Sequence, residues 1–571
     1  MNDGARGTRR ALLAATLAAL AYGGVEFAIA GRLGPALDDG WIYLAFARGF
    51  LEGDAFSYPG AEGPAAAITA PLWSFVLALA MALFGASATT AKLLGLGVLW
   101  SVVAATARLG RAATGDARLA ALAAMVVALS GRVVWASSSG MEAGLGTALT
   151  AFGLALHLER RTASLARWLP AAIVLALAGW SRPENFVFVM LAALHRRSLA
   201  ALGLATSLVA VFPVFHQLVY GFPLPLPFYA KAVPGAPLAV WRGEGLLPAL
   251  GAFFEHALRQ SASVFALLGA MLPVLVPGLV AGVRRGLLAK DGVPFLAFAL
   301  LAFVLARGTL GAQTPSFQQG RYFVQLWPLF VVVALRGFAP GTWSGRLTLV
   351  LAVGLGIGFL LEPELLAHLA FDRLGRGFPS DAARLAVALA WAPAVLFALV
   401  TIVCGCRRRV LEQGVPAPRL VLGVVWLATG FGFGALRNAE GVRDTYAMNV
   451  VMAENVAREV PQGELVACHD LGALGWFARR PLVDLAGLAT KEVAFAPRDA
   501  RGVVDFVAIL ERFRPRWLCL TDDMVAKLNP DQRLPPGIVG FAEVERARVV
   551  SQVNVTVLGD VYRLMRIEWR P

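Results

Sequence analysis

Charge is what this chain has least of. Only 15% of its 571 residues are Asp, Glu, Lys or Arg, while 58% are hydrophobic and the mean hydropathy is +0.66. That balance excludes an ordinary soluble domain and places the chain among polytopic membrane proteins. Lysine is rarer still, five residues against 46 arginines. Cysteine is too sparse to organise the fold. Cys404 and Cys406 fall at a predicted cytoplasmic helix end, where disulfides do not persist, and Cys468 and Cys519 fall in two predicted strands, where a bridge and buried free thiols fit equally well. There is no Walker A motif, no Rossmann glycine fingerprint and no Ser-His-Asp arrangement, which argues against a nucleotide-sugar donor.

The net charge of +14 does not point to nucleic acid. Residues 437–571 hold 18 Lys+Arg and 18 Asp+Glu, so the whole excess lies in residues 1–436. There the arginines cluster between apolar runs, as the positive-inside rule expects. Arg6, Arg9 and Arg10 put the N-terminus in the cytoplasm, and the first span, Ala11 to Ala30, exits near Gly31. Ala28-Ile29-Ala30 mimics a signal-peptidase site, but the segment is longer than a signal core and more spans follow. These begin near Ile68, Thr89, Arg118, Met141, Trp168, Glu184, Leu199, Ser263, Val293, Tyr322, Leu347, Arg384 and Val421. Between Arg160 and His195 there is room only for two short helices joined at Ser181-Arg182-Pro183-Glu184, because a full span needs about 20 residues. The loop charges leave one early candidate that does not cross, with Thr89 to Arg108 the best choice, and give about thirteen membrane helices.

Asp38 and Asp39 follow the first span directly, where ionised groups survive only at the membrane edge or in a wet cavity. The outer segment Gly31 to Ala67 carries this pair, then Ile42, Leu44-Ala45-Phe46 and Phe50-Leu51, spaced for an amphipathic helix on the membrane surface. Two further outer segments are Gly221 to Gln260 and Leu361 to Asp381. After Leu436 the composition changes. Glu464 to Cys468, Leu474 to Phe477, Pro481 to Asp484 and Arg516 to Leu520 read as strands alternating with helices, and Val553 to Ile567 as a closing hairpin. Residues 437–571 thus form an extracytoplasmic α/β domain behind a membrane domain, residues 1–436.

The ordered motifs carry a resemblance. Asp38-Asp39-x-x-Ile42-x-x-x-x-Ala47-Arg48-x-x-x-x-Gly53, Thr69-x-Pro71-Leu72-Trp73, Ser139-Gly140-Met141-Glu142, Arg182-Pro183-Glu184, Pro227-x-Tyr229-Ala230-Lys231 and Arg321-Tyr322 resemble the bacterial family that includes the mycobacterial terminal arabinofuranosyltransferases. In the tail, Asp470-x-Gly472-Ala473-Leu474-Gly475 and Asp484-Leu485-x-Gly487-Leu488 look like the same family. The resemblance implies a glycosyltransferase C fold and a sugar taken from a polyprenyl-phosphate donor outside the cytoplasm, at the bacterial inner membrane. It also implies that an acid in the first outer loop is the base. Relatives show Asn-Pro-Leu-Trp and Pro-Asn-Thr where this chain has Ala70-Pro71-Leu72-Trp73 and Pro225-Leu226-Pro227, so the sugar is not carried over.

The residues then take expected roles. Asp39 is the base for a single inverting displacement, with Asp38 orienting the acceptor or raising its neighbour's pKa, in either order. Lys231, Arg182 and Arg321 are the cations for the donor phosphate, with Tyr229 and Tyr322 stacking on the sugar or bonding the phosphate. Glu142, Glu184, Trp73 and Asp470 are placed on the sugar or the acceptor, a glycan or glycolipid. Each has a plainer reading: the acid pair as a helix cap, Glu142 as a dipole partner, and Arg182 and Glu184 as partners of each other. No cofactor is demanded. A divalent cation is left open by Glu362, His368 and Asp372, whose spacing fits no standard ligand motif, and His469-Asp470 reads as structural. Asn554-Val555-Thr556 is a sequon inside a predicted strand. The competing class is a lipid-linked sugar flippase or transporter, which would show paired repeats that this sequence lacks.

Overall fold

The structure is a computed structural model that describes residues 3–58, 64–230, 240, 244–272, 275–308, 320–337, 417–497, 504–528, 537–550 and 561–571. Lys231, the third outer segment, the spans expected from Leu347 and Arg384, Cys404, Cys406 and Asn554 lie outside these residues.

Helix α1 (Asp3–Ala30) opens the bundle, followed by α2 (Asp38–Glu52), α3 (Pro71–Phe84), α4 (Ala88–Thr114), α5 (Ala117–Ala128), α6 (Gly131–Ser138), α7 (Ala143–Arg160), α8 (Leu165–Ser181), α9 (Phe186–His195) and α10 (Leu199–Tyr220). Among the described residues three helices are long and apolar enough to cross a membrane: Gly4–Ala30, Ala88–Thr114 and Leu199–Tyr220. A fourth is the pair α5 and α6, bent by 65°. Helix α1 exposes Leu13, Leu17, Leu20 and Phe27, and α10 exposes Val211, Val214 and Leu218, apolar surface of the kind that lipid covers. The ends of these helices are encoded locally. Ser87 and Ser198 cap α4 and α10 through their hydroxyl oxygens, and the Asp116 carboxylate accepts the N–H groups of Arg118 and Leu119 in the first turn of α5.

Two expectations are corrected here. The segment Thr89 to Arg108 belongs to one of the long apolar helices, and the interrupted segment is instead the one from Arg118, broken at Leu129-Ser130. Helix α2 forms, but it does not lie on the membrane surface. Trp41, Leu44, Ala45, Phe46 and Ala47 are all nearly inaccessible. Their burial shows that α2 is sandwiched between the bundle and the C-terminal domain.

The hairpin expected between Arg160 and His195 is present. Arg182 has extended backbone, φ −155° and ψ 112°, ahead of Pro183. A residue before proline is kept out of the helical region, so α8 stops there, one short turn follows, and α9 returns.

The chain then passes through helices Leu246–Met271, Val276–Ala289, Val293–Gly308 and Trp327–Arg336, and the helix Ala417–Thr445 leads into the C-terminal domain. Its five-stranded sheet has the order β2-β1-β3-β5-β4, with β1 (Val466–Cys468), β2 (Leu482–Asp484), β3 (Trp517–Thr521), β4 (Ile538–Arg548) and β5 (Val561–Trp569). The first three strands are parallel, and β5 and β4 add an antiparallel edge. Leu474 to Phe477 is no strand but part of a π-helical turn, Leu474–Ala478. The closing hairpin pairs β5 with residues 538–548. Cys468 and Cys519 are register partners on neighbouring strands and are free, buried thiols.

Candidate functional site

The acid pair starts α2, where the helix packs tightly on the turn that carries Glu142. A Cβ at Gly40 would stand 3.1 Å from the Ser139 carbonyl oxygen and 2.6 Å from the Pro35 ring, so only glycine allows the approach. The two aspartates then diverge. Asp39 Oδ2 accepts a hydrogen bond from Arg321 Nη1 at 2.7 Å, and its side chain is 30% exposed. Asp38 is buried, with both oxygens occupied: the Gly472 N–H donates at 2.6 Å and the Ala473 N–H at 2.8 Å. Asp38 therefore serves the C-terminal domain, and its place as an alternative base or acceptor ligand is not what its contacts describe.

Asp470 stands just beyond the C-terminal end of β1, the end at which open α/β sheets place their ligands. Its Oδ2 accepts from Asn449 Nδ2 at 3.2 Å, and Oδ1 lies 3.5 Å from His469 Nε2. Burial, then the Asp470 charge, push Asp38 up from the carboxylate range to about 7 against the pull of its two N–H donors. Burial, then the Asp39 charge, push Asp470 up to about 7. Of the two, Asp470 keeps the proton, because the paired backbone donors on Asp38 are best satisfied by a carboxylate.

A second cluster surrounds Tyr322. The guanidinium carbons of Arg182, Arg307 and Arg321 lie 4.7, 4.8 and 4.9 Å from its ring centroid. Arg321 also donates to the Tyr322 hydroxyl at 3.0 Å and touches Met141 Sδ at 2.9 Å. Arg182 is fully engaged: Nη1 donates to Glu142 Oε1 at 2.6 Å, and Nε and Nη2 donate to Glu184 Oε1 at 3.0 and 2.7 Å. The plainer reading of Arg182 and Glu184 as mutual partners thus holds. Three cations face three acids, and several polar atoms remain buried without a hydrogen bond: Arg307 Nε, Arg321 Nε and Glu142 Oε2.

Other expected residues sit apart. Trp73 is fully buried, and its indole N–H donates to the Gly140 carbonyl at 2.9 Å, which makes it packing under the Glu142 turn rather than a sugar platform. Tyr229 packs against Phe495 of the C-terminal domain, with centroids 4.7 Å apart, and against Phe222 at 6.0 Å. Nothing in the sequence singled out Arg307, since an arginine ending an apolar run is the commonest membrane-edge pattern. Tyr43 was also missed. It lies on α2 beside Glu142 and Arg321 and bonds Thr69. The Asp484 carboxylate accepts the N–H groups of Ala486, Leu488 and Ala489, so the Asp484-Leu485-x-Gly487-Leu488 motif is a self-bonded loop. Among the described residues no cluster of three metal-capable side chains exists.

Residues 437–563 match a family described as a domain of unknown function, DUF8728. No curated protein matches the sequence. The overall structure is similar to that of ArnT from Cupriavidus metallidurans in the apo state, with TM-score 0.53 and 16% identity, covering 96% of this chain and 97% of that one. It is similar also to ArnT from the same organism bound to undecaprenyl phosphate, with TM-score 0.54, 17% identity and the same coverage. With its apolar helices and its C-terminal sheet domain, this chain shares the overall fold of these two ArnT structures.

Proposed function

We propose that the protein transfers a sugar from a polyprenyl-phosphate donor to a glycan or glycolipid acceptor outside the cytoplasm, at the bacterial inner membrane, with inversion and with Asp39 as general base. The observation that carries this is the contact of a partly exposed Asp39 with Arg321, one of three guanidiniums gathered on Tyr322. A base and a phosphate-sized cationic cluster stand side by side. That a protein of the same fold was solved with undecaprenyl phosphate supports the donor class.

The acceptor hydroxyl attacks the anomeric carbon while its proton passes to Asp39, and the bond from that carbon to the phosphate oxygen breaks. The departing lipid phosphate gains a negative charge, which preorganised guanidiniums stabilise more in the transition state than in the ground state. Arg307 and Arg321 are the cations for this task, Lys231 is a third, and Arg182 holds the cluster together through Glu142 and Glu184. Arg321 also couples the two halves. A phosphate that draws it from Asp39 removes the counter-ion of the carboxylate and strengthens it as a proton acceptor. Asp470 is the acceptor-side acid in this reading. The N-terminus lies in the cytoplasm, residues 437–571 lie outside, and about thirteen helices cross or enter the bilayer, by the charge rule.

The test is reconstituted full-length protein given labelled polyprenyl-phosphate sugars and acceptor glycans. Sugar appearing on the acceptor with inverted anomeric configuration is expected. Movement of intact donor between leaflets with no transfer makes the protein a flippase instead.

A further inference from the structure

The surface on which the C-terminal domain meets the first outer loop is built more tightly than a covering domain requires. Six polar groups within residues 471–479 are engaged by the segment 38–58. The Asp38 carboxylate holds the Gly472 and Ala473 N–H groups, and the Tyr58 hydroxyl donates to the Leu471 carbonyl. Arg48 donates to the carbonyls of Gly475 and Trp476 at 3.2 and 2.8 Å, and its guanidinium lies 4.3 Å over the Trp476 ring. Glu52 pairs with Arg479. Trp41 packs on Phe477 and Trp476 with centroids 5.1 and 6.0 Å apart. There is no spare room at the seam: a Cβ at Gly472 would overlap the Asp38 carbonyl oxygen, and one at Gly475 would overlap the Tyr58 hydroxyl. The residue that receives this grip is the immediate neighbour of Asp39, and Asp470, just before the gripping segment, brings a carboxyl group into the field of Asp39.

We propose that the C-terminal domain is a working part of the reaction centre, whose 471–473 backbone clamps Asp38 and thereby fixes the direction of Asp39, so that Asp38 is a positioning residue and the domain sets the rate of the chemical step. This rests on the sugar-transfer reading above. A carboxylate with two backbone donors cannot rotate freely, and a base must be held within hydrogen-bond reach of the proton it takes. Displacement of such a group by about 1 Å costs on the order of 100-fold in rate. The π-helical form of residues 474–478 fits the same view, since such turns recur where backbone groups are redirected for function.

The experiment uses the purified full chain with Gly472→Ala, Asp38→Asn, the double variant and the mild Tyr58→Phe. Arg458→Ala, an exposed residue paired with Glu459 and Glu545, is the folding-neutral control. Hydrogen exchange of residues 38–52 is read without any substrate, and kcat and donor KM are read with polyprenyl-phosphate sugar. Expected are faster exchange in Gly472→Ala and Asp38→Asn and a kcat loss of roughly 10- to 100-fold. Donor KM is expected within about threefold of wild type, and the double variant no worse than the poorer single one, as shared action predicts. Tyr58→Phe follows in the same direction by a smaller factor. Unchanged exchange in Gly472→Ala, or raised exchange with unchanged kcat, overturns the proposal. So does full loss in Asp38→Asn with Gly472→Ala silent, which would make Asp38 itself the base. If the wild type transfers no sugar at all, the transfer reading fails, while the exchange arm still decides whether the clamp exists.

Discussion

Lys92→Met tests how the bundle carries the first loop. Glu26 is wholly inaccessible and accepts three hydrogen bonds: from Lys92 Nζ at 2.7 Å, Asn438 Nδ2 at 2.7 Å and the Gly34 N–H at 2.8 Å. One carboxylate thus ties α1 to α4, to the helix Ala417–Thr445 and to the chain four residues ahead of Asp38. Removing Lys92 alone leaves a buried charge with two neutral donors, and breaking a buried pair this way costs about 3–5 kcal/mol. Glu26→Gln with Lys92→Met removes both charges and keeps an amide that still accepts from Gly34 or Asn438, at a cost of about 1–2 kcal/mol. The single substitution is therefore the more damaging by about 1–4 kcal/mol. The assay is thermal unfolding of detergent-purified protein at one fixed scan rate, since large membrane proteins unfold irreversibly and only like-for-like scans compare. The expected order of stability is wild type, double variant, Lys92→Met. A Lys92→Met protein as stable as the double variant would refute the reasoning, because it would mean that Glu26 needs no cation.

Two further outcomes follow from the site. Asp470 is pushed up from 3.8 to about 7, so the folded state holds a proton that the unfolded state releases near pH 4. Its stabilising protonation is complete below about pH 4 and is lost as pH rises through about 7. Asp470→Asn should flatten this decline and raise stability at pH 8 relative to wild type, and a slope unchanged by the substitution, measured by unfolding at a series of pH values, would exclude Asp470 as its source. Arg307→Ala and Arg182→Ala should differ in kind. Arg307 has no ion pair among the described residues and should chiefly weaken donor binding. Arg182 holds Glu142 and Glu184, so its removal should destabilise by about 3–5 kcal/mol, and equal effects on unfolding temperature would contradict the division.

Much of this arrangement is legible in the residues, and the failures have physical causes. Asp38 and Asp39 are marked by two carboxylates at the end of an apolar run, and the hairpin tip by a Pro that stops a helix too short to cross. Alternation and spacing find β1, β2 and β3. Helix α2 misleads because an apolar stripe on a short helix fits a lipid surface as well as a second protein layer, and nothing local says that residues 471–479 will cover it. Leu474 to Phe477 reads as a strand from composition, yet it forms a π-helical turn whose Gly475 and Trp476 carbonyls accept from Arg48, more than 400 positions away in the chain. The split between Asp38 and Asp39 is invisible for the same reason, since only the partners, Gly472 and Arg321, distinguish them. Arg307 and Tyr43 become site residues through Tyr322, Glu142 and Arg321, a convergence of distant segments that no local pattern announces.

The central claim is that Asp39 takes the proton of the acceptor hydroxyl, and single-turnover transfer by Asp39→Asn, with donor binding measured on the same preparation, tests it most directly. The account predicts donor binding close to wild type and a chemical step slowed about 100- to 10,000-fold. A variant that binds donor and transfers sugar at the wild-type rate would contradict it.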